Sequence, residues 1–154
     1  MTDVLTKDQR KLNMQRVKSV DTKPELMVRR ALHSKGFRYK LHTKNLPGSP
    51  DLVFPKYRVV IFVHGCFWHR HKCYKASVPL SRVNFWRKKF KENTSRDKLN
   101  IQQLSALGWR ILVIWECALK GKAKIPFNLL INLTSNFIKN SINQFLEIGS
   151  NIPN

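Results

Sequence analysis

Two apolar runs stand out along the chain, Val59 to Val63 and Ile111 to Trp115, each short enough and β-branched enough for a strand buried on both faces. Around them the pattern predicts a sequence of elements. Thr22 and Glu25 have capping-box spacing, with Pro24 in the first turn, and Leu26, Ala31 and Leu32 continue a helix that Gly36 stops. Phe37, Tyr39 and Leu41 alternate with Arg38, Lys40 and His42, which predicts a half-buried strand. Leu46-Pro47-Gly48-Ser49-Pro50 has the composition of a turn, and Asp51 to Phe54 begins a short strand. Ser81 can cap a long basic helix from Phe85 through Lys98, apolar on one side at Leu99, Ile101, Leu104 and Leu107 and ended by Gly108. After the strand at 110–115, the apolar positions Leu129, Leu130, Leu133, Phe137, Ile138 and Phe145 suggest a closing amphipathic helix. Helix, three strands, basic helix, strand and helix make an α/β protein with a mixed central sheet covered by helices. A basic arm over residues 1–20, one domain over 21–148 and a frayed tail over 149–154 complete the expected organisation.

Charge narrows the partners. Lys and Arg number 29 against 9 Asp and Glu, a formal net charge of +20, so a polyanion is the first expectation and nucleic acid the commonest one. An anionic membrane surface or heparin would tolerate the same charge. No apolar run approaches the roughly 20 residues a membrane helix needs, and the N-terminus has no signal-peptide core. A reducing, intracellular setting is expected, in keeping with an odd count of three cysteines.

The chemistry concentrates in His64 to Cys73, HGCFWHRHKC, directly after the first apolar run. Cys66 and Cys73 lie in this stretch, and Cys117 follows the second run. Three thiolates and one imidazole form an ordinary structural zinc shell. Buried cysteines acting as small hydrophobes are the simpler alternative, but a polar, histidine-rich loop gives such residues little to pack against. Spacing leaves both His69 and His71 open as the fourth ligand. Among the carboxylates, Asp3 and Asp8 fall in the arm, Asp21 flanks a cap, Glu92 sits among lysines and Glu147 lies near the end. Glu25, Asp51, Asp97 and Glu116 remain. Asp51, at a strand entry, could bind Mg2+, which needs few carboxylates beside water and phosphate, or serve only as a turn residue. Glu25 could simply complete its capping box, and Asp97 could pair with nearby basic residues or orient a histidine. His64 and His69, beside a metal loop in a basic protein, are candidates for proton transfer near a phosphate. Phe67 and Trp68 are adjacent, so both cannot face one core; exposed rings in a nucleic-acid binder stack on or wedge between bases. For Trp86, a core position is the default.

Pro47 to Asp51, VIFVHGCFWHRHKC at 60–73, Phe85-Trp86, Arg96-Asp97 and GWRILVIWECAL at 108–119 together resemble the very-short-patch repair (Vsr) endonucleases, over about residues 10–120. The resemblance implies a restriction-endonuclease-like fold and a bacterial, cytoplasmic nickase cutting 5′ to the thymine of T:G mismatches left by deamination of 5-methylcytosine. It implies Asp51 and the main-chain carbonyl of Val63 as ligands of one or two Mg2+ ions, and His69 as catalytic base or acid. His64 would lie beside it, with Glu25 acting through metal-bound water. Cys66, His71, Cys73 and Cys117 match the structural zinc shell. Phe67, Trp68 and Trp86 match an aromatic wedge, and Met14, Lys89 and Asn93 match positions near the mismatched bases; Asp97 is grouped with these DNA-facing residues. The chain departs from some members at Val63, where they have threonine, and at Arg70, where they have histidine. It also lacks the lysine that restriction nucleases place after the equivalent of Asp51. The implied partner is double-stranded DNA, bound by a monomer, with other repair proteins as further partners. Two other readings stay open: a non-catalytic, zinc-stabilised DNA-binding module, and a restriction-type nuclease acting on matched DNA.

Overall fold

The computed structural model describes residues 6–9, 21–73 and 77–150. The expected arm, Met14 included, lies outside the described residues apart from 6–9. Five strands form one sheet in the order β1 (Lys40–Leu41), β2 (Leu52–Phe54), β3 (Val59–His64), β4 (Arg110–Trp115) and β5 (Phe145–Ile148). β1, β2 and β3 pair antiparallel, while β3, β4 and β5 run parallel, so the sheet is mixed. Helices α1 (Lys23–Ser34), α2 (Cys66–His69), α3 (Val83–Ala106), α4 (Glu116–Leu119) and α5 (Phe127–Asn140) connect and cover it. No helix among the described residues is long and apolar enough to cross a membrane.

Strand periodicity divides the core in two. On one face Val59, Ile61, Leu112 and Ile114 pack with Val28 and Leu32 of α1 and Leu130 and Ile138 of α5. On the other face Val60, Phe62, Ile111, Val113 and Trp115 pack with Leu104 of α3, and Cys66 and Cys117 join this second core. Full burial of such side chains contributes about 1.5–3 kcal/mol each. His64 shares the parity of Val60 and Phe62, so the end of β3 aims it toward the α3 side.

Three expected elements differ. The closing helix stops at Asn140, and Phe145, expected within it, opens β5 instead. The backbone between them is extended at Ser141, which frees Phe145–Ile148 to pair with β4 through Ile111–Ile114. The strand expected over 37–41 shrinks to Lys40–Leu41, because Phe37 is drawn into the first core against Phe54 and Tyr57. Helix α3 starts at Val83, with Arg82 at the N-cap in the left-handed region and no side-chain capping bond. The expected stops hold: Gly36 (φ +94°) follows α1 and Gly108 (φ +89°) follows α3, both in conformations that favour glycine.

Candidate active site and metal centre

The parallel pairing of β3 with β4 aligns His64 with Trp115, so the chain leaves both strands at the same end of the sheet. Cys66 follows one strand end and Cys117 the other, which brings the remote thiol to the histidine-rich loop. His71 Nδ1 lies 3.7 Å from Cys66 Sγ and 3.4 Å from Cys117 Sγ. One donor atom each from Cys66, His71, Cys73 and Cys117 converges within 4.8 Å. A tetrahedral zinc, with bonds of about 2.3 Å to sulfur and 2.0 Å to nitrogen, separates neighbouring donors by about 3.5–3.8 Å, so the cluster fits that ion. Burial, and then the other sulfurs, pushes the Cys66 thiol upward, an environment a metal cation would relieve. The structure brings His71, not His69, to the thiols. The His71 ring stacks on Trp115, with centroids 4.4 Å apart.

His69 is committed elsewhere. Its Nδ1 lies 2.6 Å from Asp97 Oδ2 on α3, and its ring stacks on His64 with centroids 3.8 Å apart and planes 5° from parallel. Burial, and then His69, holds His64 well below the usual histidine range. An imidazole oriented by a carboxylate and stacked on a second ring is placed to accept and release protons.

Asp51 joins this array through the strand. Its Oδ2 accepts the Val63 N–H at 2.8 Å, one residue before His64. The preceding loop is held against α3 at Gly48, where a β-carbon would fall 2.8 Å from Asn100 Nδ2. Burial pushes the Asp51 carboxyl up to about 8; the Val63 N–H opposes the rise and the neighbouring Glu25 adds to it. Glu25 is 2% exposed. Only half of the expected capping box forms: Thr22 Oγ1 accepts from the Glu25 N–H at 3.4 Å, but the Glu25 carboxylate turns inward to Arg29 Nη1 at 2.9 Å. His42 Nε2 sits 3.3 Å from both Glu25 Oε2 and Asp21 Oδ1. Two packed carboxylates on short side chains suit a hard divalent cation such as Mg2+.

A cleft of about 930 Å³ opens over this region, lined by Val63, His64, Trp68 and His69. Lys23, Lys89, Arg96 and Lys120 line it as well, with Asp21 and Glu116, so cations outnumber carboxylates along its wall. Phe67, Trp68 and Trp86 belong to neither core. They form a half-buried aromatic group in which Phe67 packs edge-on to Trp68, Trp86 and Phe90, with centroids 5.1–5.4 Å apart. Trp86 thus leaves the core position expected of it by default. Asn93 Nδ2 donates to the Trp68 carbonyl at 3.0 Å, tying α3 to α2. His42, Arg29 and Lys120 were not singled out in the sequence. The sequence signal for His42 was its polar place in the alternating stretch 37–42; the structure adds that its main-chain N–H donates to the Asp51 carbonyl beside the β1–β2 ladder.

Comparison with known proteins places this geometry in context. Residues 2–75 match the family described as DNA mismatch endonuclease Vsr. The chain is 50% identical over 129 residues to the type II nicking enzyme V.XorIIP of Xanthomonas oryzae pv. oryzae, spanning 84% of this chain and 95% of that one. It is 44% identical over 125 residues to the DNA mismatch endonuclease Vsr of Escherichia coli, spanning 81% and 80%. The type II nicking enzyme V.NmeAIP of Neisseria meningitidis is 44% identical over 123 residues, spanning 80% and 88%.

Proposed function

The chain belongs to the Vsr family of DNA mismatch endonucleases, and from that premise we propose that it nicks duplex DNA 5′ to the thymine of a T:G mismatch in a Mg2+-dependent reaction. The observation that carries this reading is the convergence of groups about the end of β3: Asp51 holds the Val63 N–H, Asp97 holds His69, and the stacked His64 and His69 line a cleft that Lys23, Lys89, Arg96 and Lys120 also line. The mixed sheet is read as the core of a restriction-endonuclease-like fold, with residues 21–148 as the nuclease domain and 1–20 as an arm along the DNA. The bacterial sources of the relatives support reading its setting as the bacterial cytoplasm, on DNA.

In this reading Asp51 and the Val63 carbonyl hold Mg2+, with Glu25 behind them. When bound, the ion stabilises the charge that builds on the phosphate oxygens and the leaving 3′-oxygen. The chain's own residues do the rest. Asp97 keeps a proton on His69 Nδ1, which leaves Nε2 free to take one from the attacking water. His64, desolvated and held neutral, backs the His69 ring without adding charge to it. Lys23, Arg96 and Lys120 draw in the phosphate backbone, a contribution blind to sequence. Phe67, Trp68 and Trp86 supply the wedge, while Lys89, Asn93 and, in the arm, Met14 approach the mismatched pair. Cys66, His71, Cys73 and Cys117 hold a zinc ion that stiffens the loop carrying these rings.

The experiment incubates T:G and matched duplexes with the protein and Mg2+ and reads strand-specific nicks on a denaturing gel. Asp51→Ala should abolish nicking and leave mismatch binding largely intact. Wild-type nicking by that variant would remove Asp51 from the reaction, and equal nicking of matched DNA would favour a restriction-type activity.

A further inference from the structure

The last described residues, expected to begin a frayed tail, lie against the cysteine cluster. β5 pairs in parallel with β4, Ile148 opposite Ile114, so the chain beyond Ile148 runs beside the turn that carries Cys117. The main-chain N–H of Ser150 donates to Cys117 Sγ at 3.2 Å. The N–H of Cys117 itself points at Cys66 Sγ, 3.4 Å away. Gly149 meets His71 directly: a β-carbon there would fall 2.8 Å from Cε1 and 3.0 Å from Nε2 of the imidazole. That edge of the ring adjoins Nδ1 through Cε1, and Nδ1 faces the sulfurs.

Each contact has a defined effect on a metal ligand. An N–H donated to a thiolate draws charge from the sulfur and fixes its direction. A main chain packed flush on the Cε1–Nε2 edge of an imidazole limits rotation of the ring and so keeps Nδ1 on its target. Contacts of this outer kind orient ligands and tune metal affinity. We propose that Gly149 and Ser150 form the outer shell of the metal centre, positioning residues that hold His71 and Cys117 in their ligating pose and thereby set how firmly the metal is retained. The inference rests on the zinc reading above. It gives the C-terminal strand a task at the recognition loop, because the same metal loop carries Phe67, Trp68 and His69.

The test follows transfer of zinc from the purified full-length protein to a chromogenic chelator, alongside the absorption spectrum of the cobalt-substituted form. Ser150→Ala keeps the N–H and should release zinc at the wild-type rate. Ser150→Pro removes that donor and should release it roughly tenfold faster or more. Gly149→Ala presses a β-carbon onto His71, so it should speed release and shift the cobalt bands; it decides the matter alone if Ser150→Pro does not fold. Wild-type release from zinc-loaded Gly149→Ala, or from folded Ser150→Pro, overturns the outer-shell role and leaves the zinc reading standing. A folded wild type that carries no zinc overturns the zinc reading, and this inference with it.

Discussion

His69 and Asp97 meet at 2.6 Å between Nδ1 and Oδ2, while the flat face of His69 lies on His64. An ionised carboxylate only accepts hydrogen bonds, so Nδ1 carries the proton and the lone pair is left on Nε2. Two imidazolium charges at this stacking distance would repel by about 4 kcal/mol even in a screened protein environment. Desolvation, and then the neighbouring His69, hold the half-buried His64 well below the usual histidine range, so His64 is the member kept neutral. Asp97, grouped with the DNA-facing residues by resemblance, is placed by the structure against the histidine.

Asp97→Asn tests that placement. An amide can present either a donor or an acceptor to Nδ1, so the required tautomer is no longer enforced. Single-turnover nicking should fall by about 100-fold or more, with DNA affinity nearly unchanged. The pH profile of the rate should change shape, because the histidine loses its partner. A loss confined to DNA affinity would return Asp97 to the DNA-contacting set.

Asp51 makes a prediction about stability. Its carboxyl is pushed up to about 8, chiefly by burial, against an unfolded value near 3.9. The folded chain thus keeps a proton that the unfolded chain releases. Its contribution to stability is fully present below about pH 4 and drains away as pH rises toward about 8. Metal-free Asp51→Asn, neutral at every pH, should match wild type near pH 4 and exceed it by on the order of 2 kcal/mol at pH 8. Added Mg2+ should stabilise wild type and leave the variant unmoved. Urea midpoints across this pH range, in chelator and then in Mg2+, measure both effects. A variant less stable than wild type at pH 8 would remove the basis for a strained carboxylate.

The metal loop was legible in the sequence because its donors are nearly contiguous: Cys66, His71 and Cys73 sit within one short stretch, and Cys117 ends the other strong apolar run. The choice between His69 and His71 was not legible. It depends on the short helix α2, which turns His69 toward α3 and leaves His71 beyond it, facing the thiols. β5 was hidden for another reason. Phe145 and Ile148 extend the apolar series of α5, and no glycine or proline separates Asn140 from Phe145. Only pairing with β4, a non-local contact, makes a strand of that segment. Glu25 reads equally well as a cap or as a buried acid until Arg29 and His42 are seen around its carboxylate.

Cys117→Ser should cost the protein its metal and much of its stability. The sulfur faces His71 and receives the Ser150 N–H, so one atom joins the loop, β4 and the chain beyond β5. Metal binding to a site the unfolded chain lacks is folding free energy, so a loss of roughly 3 kcal/mol or more is expected, a fall in Tm of about 10 °C. Elemental analysis should find about one zinc per wild-type chain and none in the variant. A variant that melts with wild type would mean that Cys117 is only a small core side chain.

Trp68 closes the argument about selectivity. It lies on α2 between two proposed zinc ligands, lines the cleft beside His69, and is backed by Phe67 and Trp86. Asn93 holds its carbonyl from α3, so the helix beneath the ring is anchored on a second side. A ring held this way can enter a base step with little loss of its own freedom. Unstacking a step costs a few kcal/mol, and the cost is lower where pairing is already weak. The wedge should therefore favour T:G over a matched pair, which the cations of the cleft cannot do, since phosphate contacts are blind to sequence and fade with salt. Trp68→Ala should lose roughly tenfold in preference for T:G over matched duplex, about the worth of one base–aromatic contact. General affinity should fall less, and the salt slope of binding should stay the same because no phosphate contact is removed. Competitive binding of the two duplexes across a salt series measures all three. If the variant keeps its full preference, the half-buried Trp68 serves only to pack α2 against α3, and selectivity must come from residues that touch the mismatched bases directly.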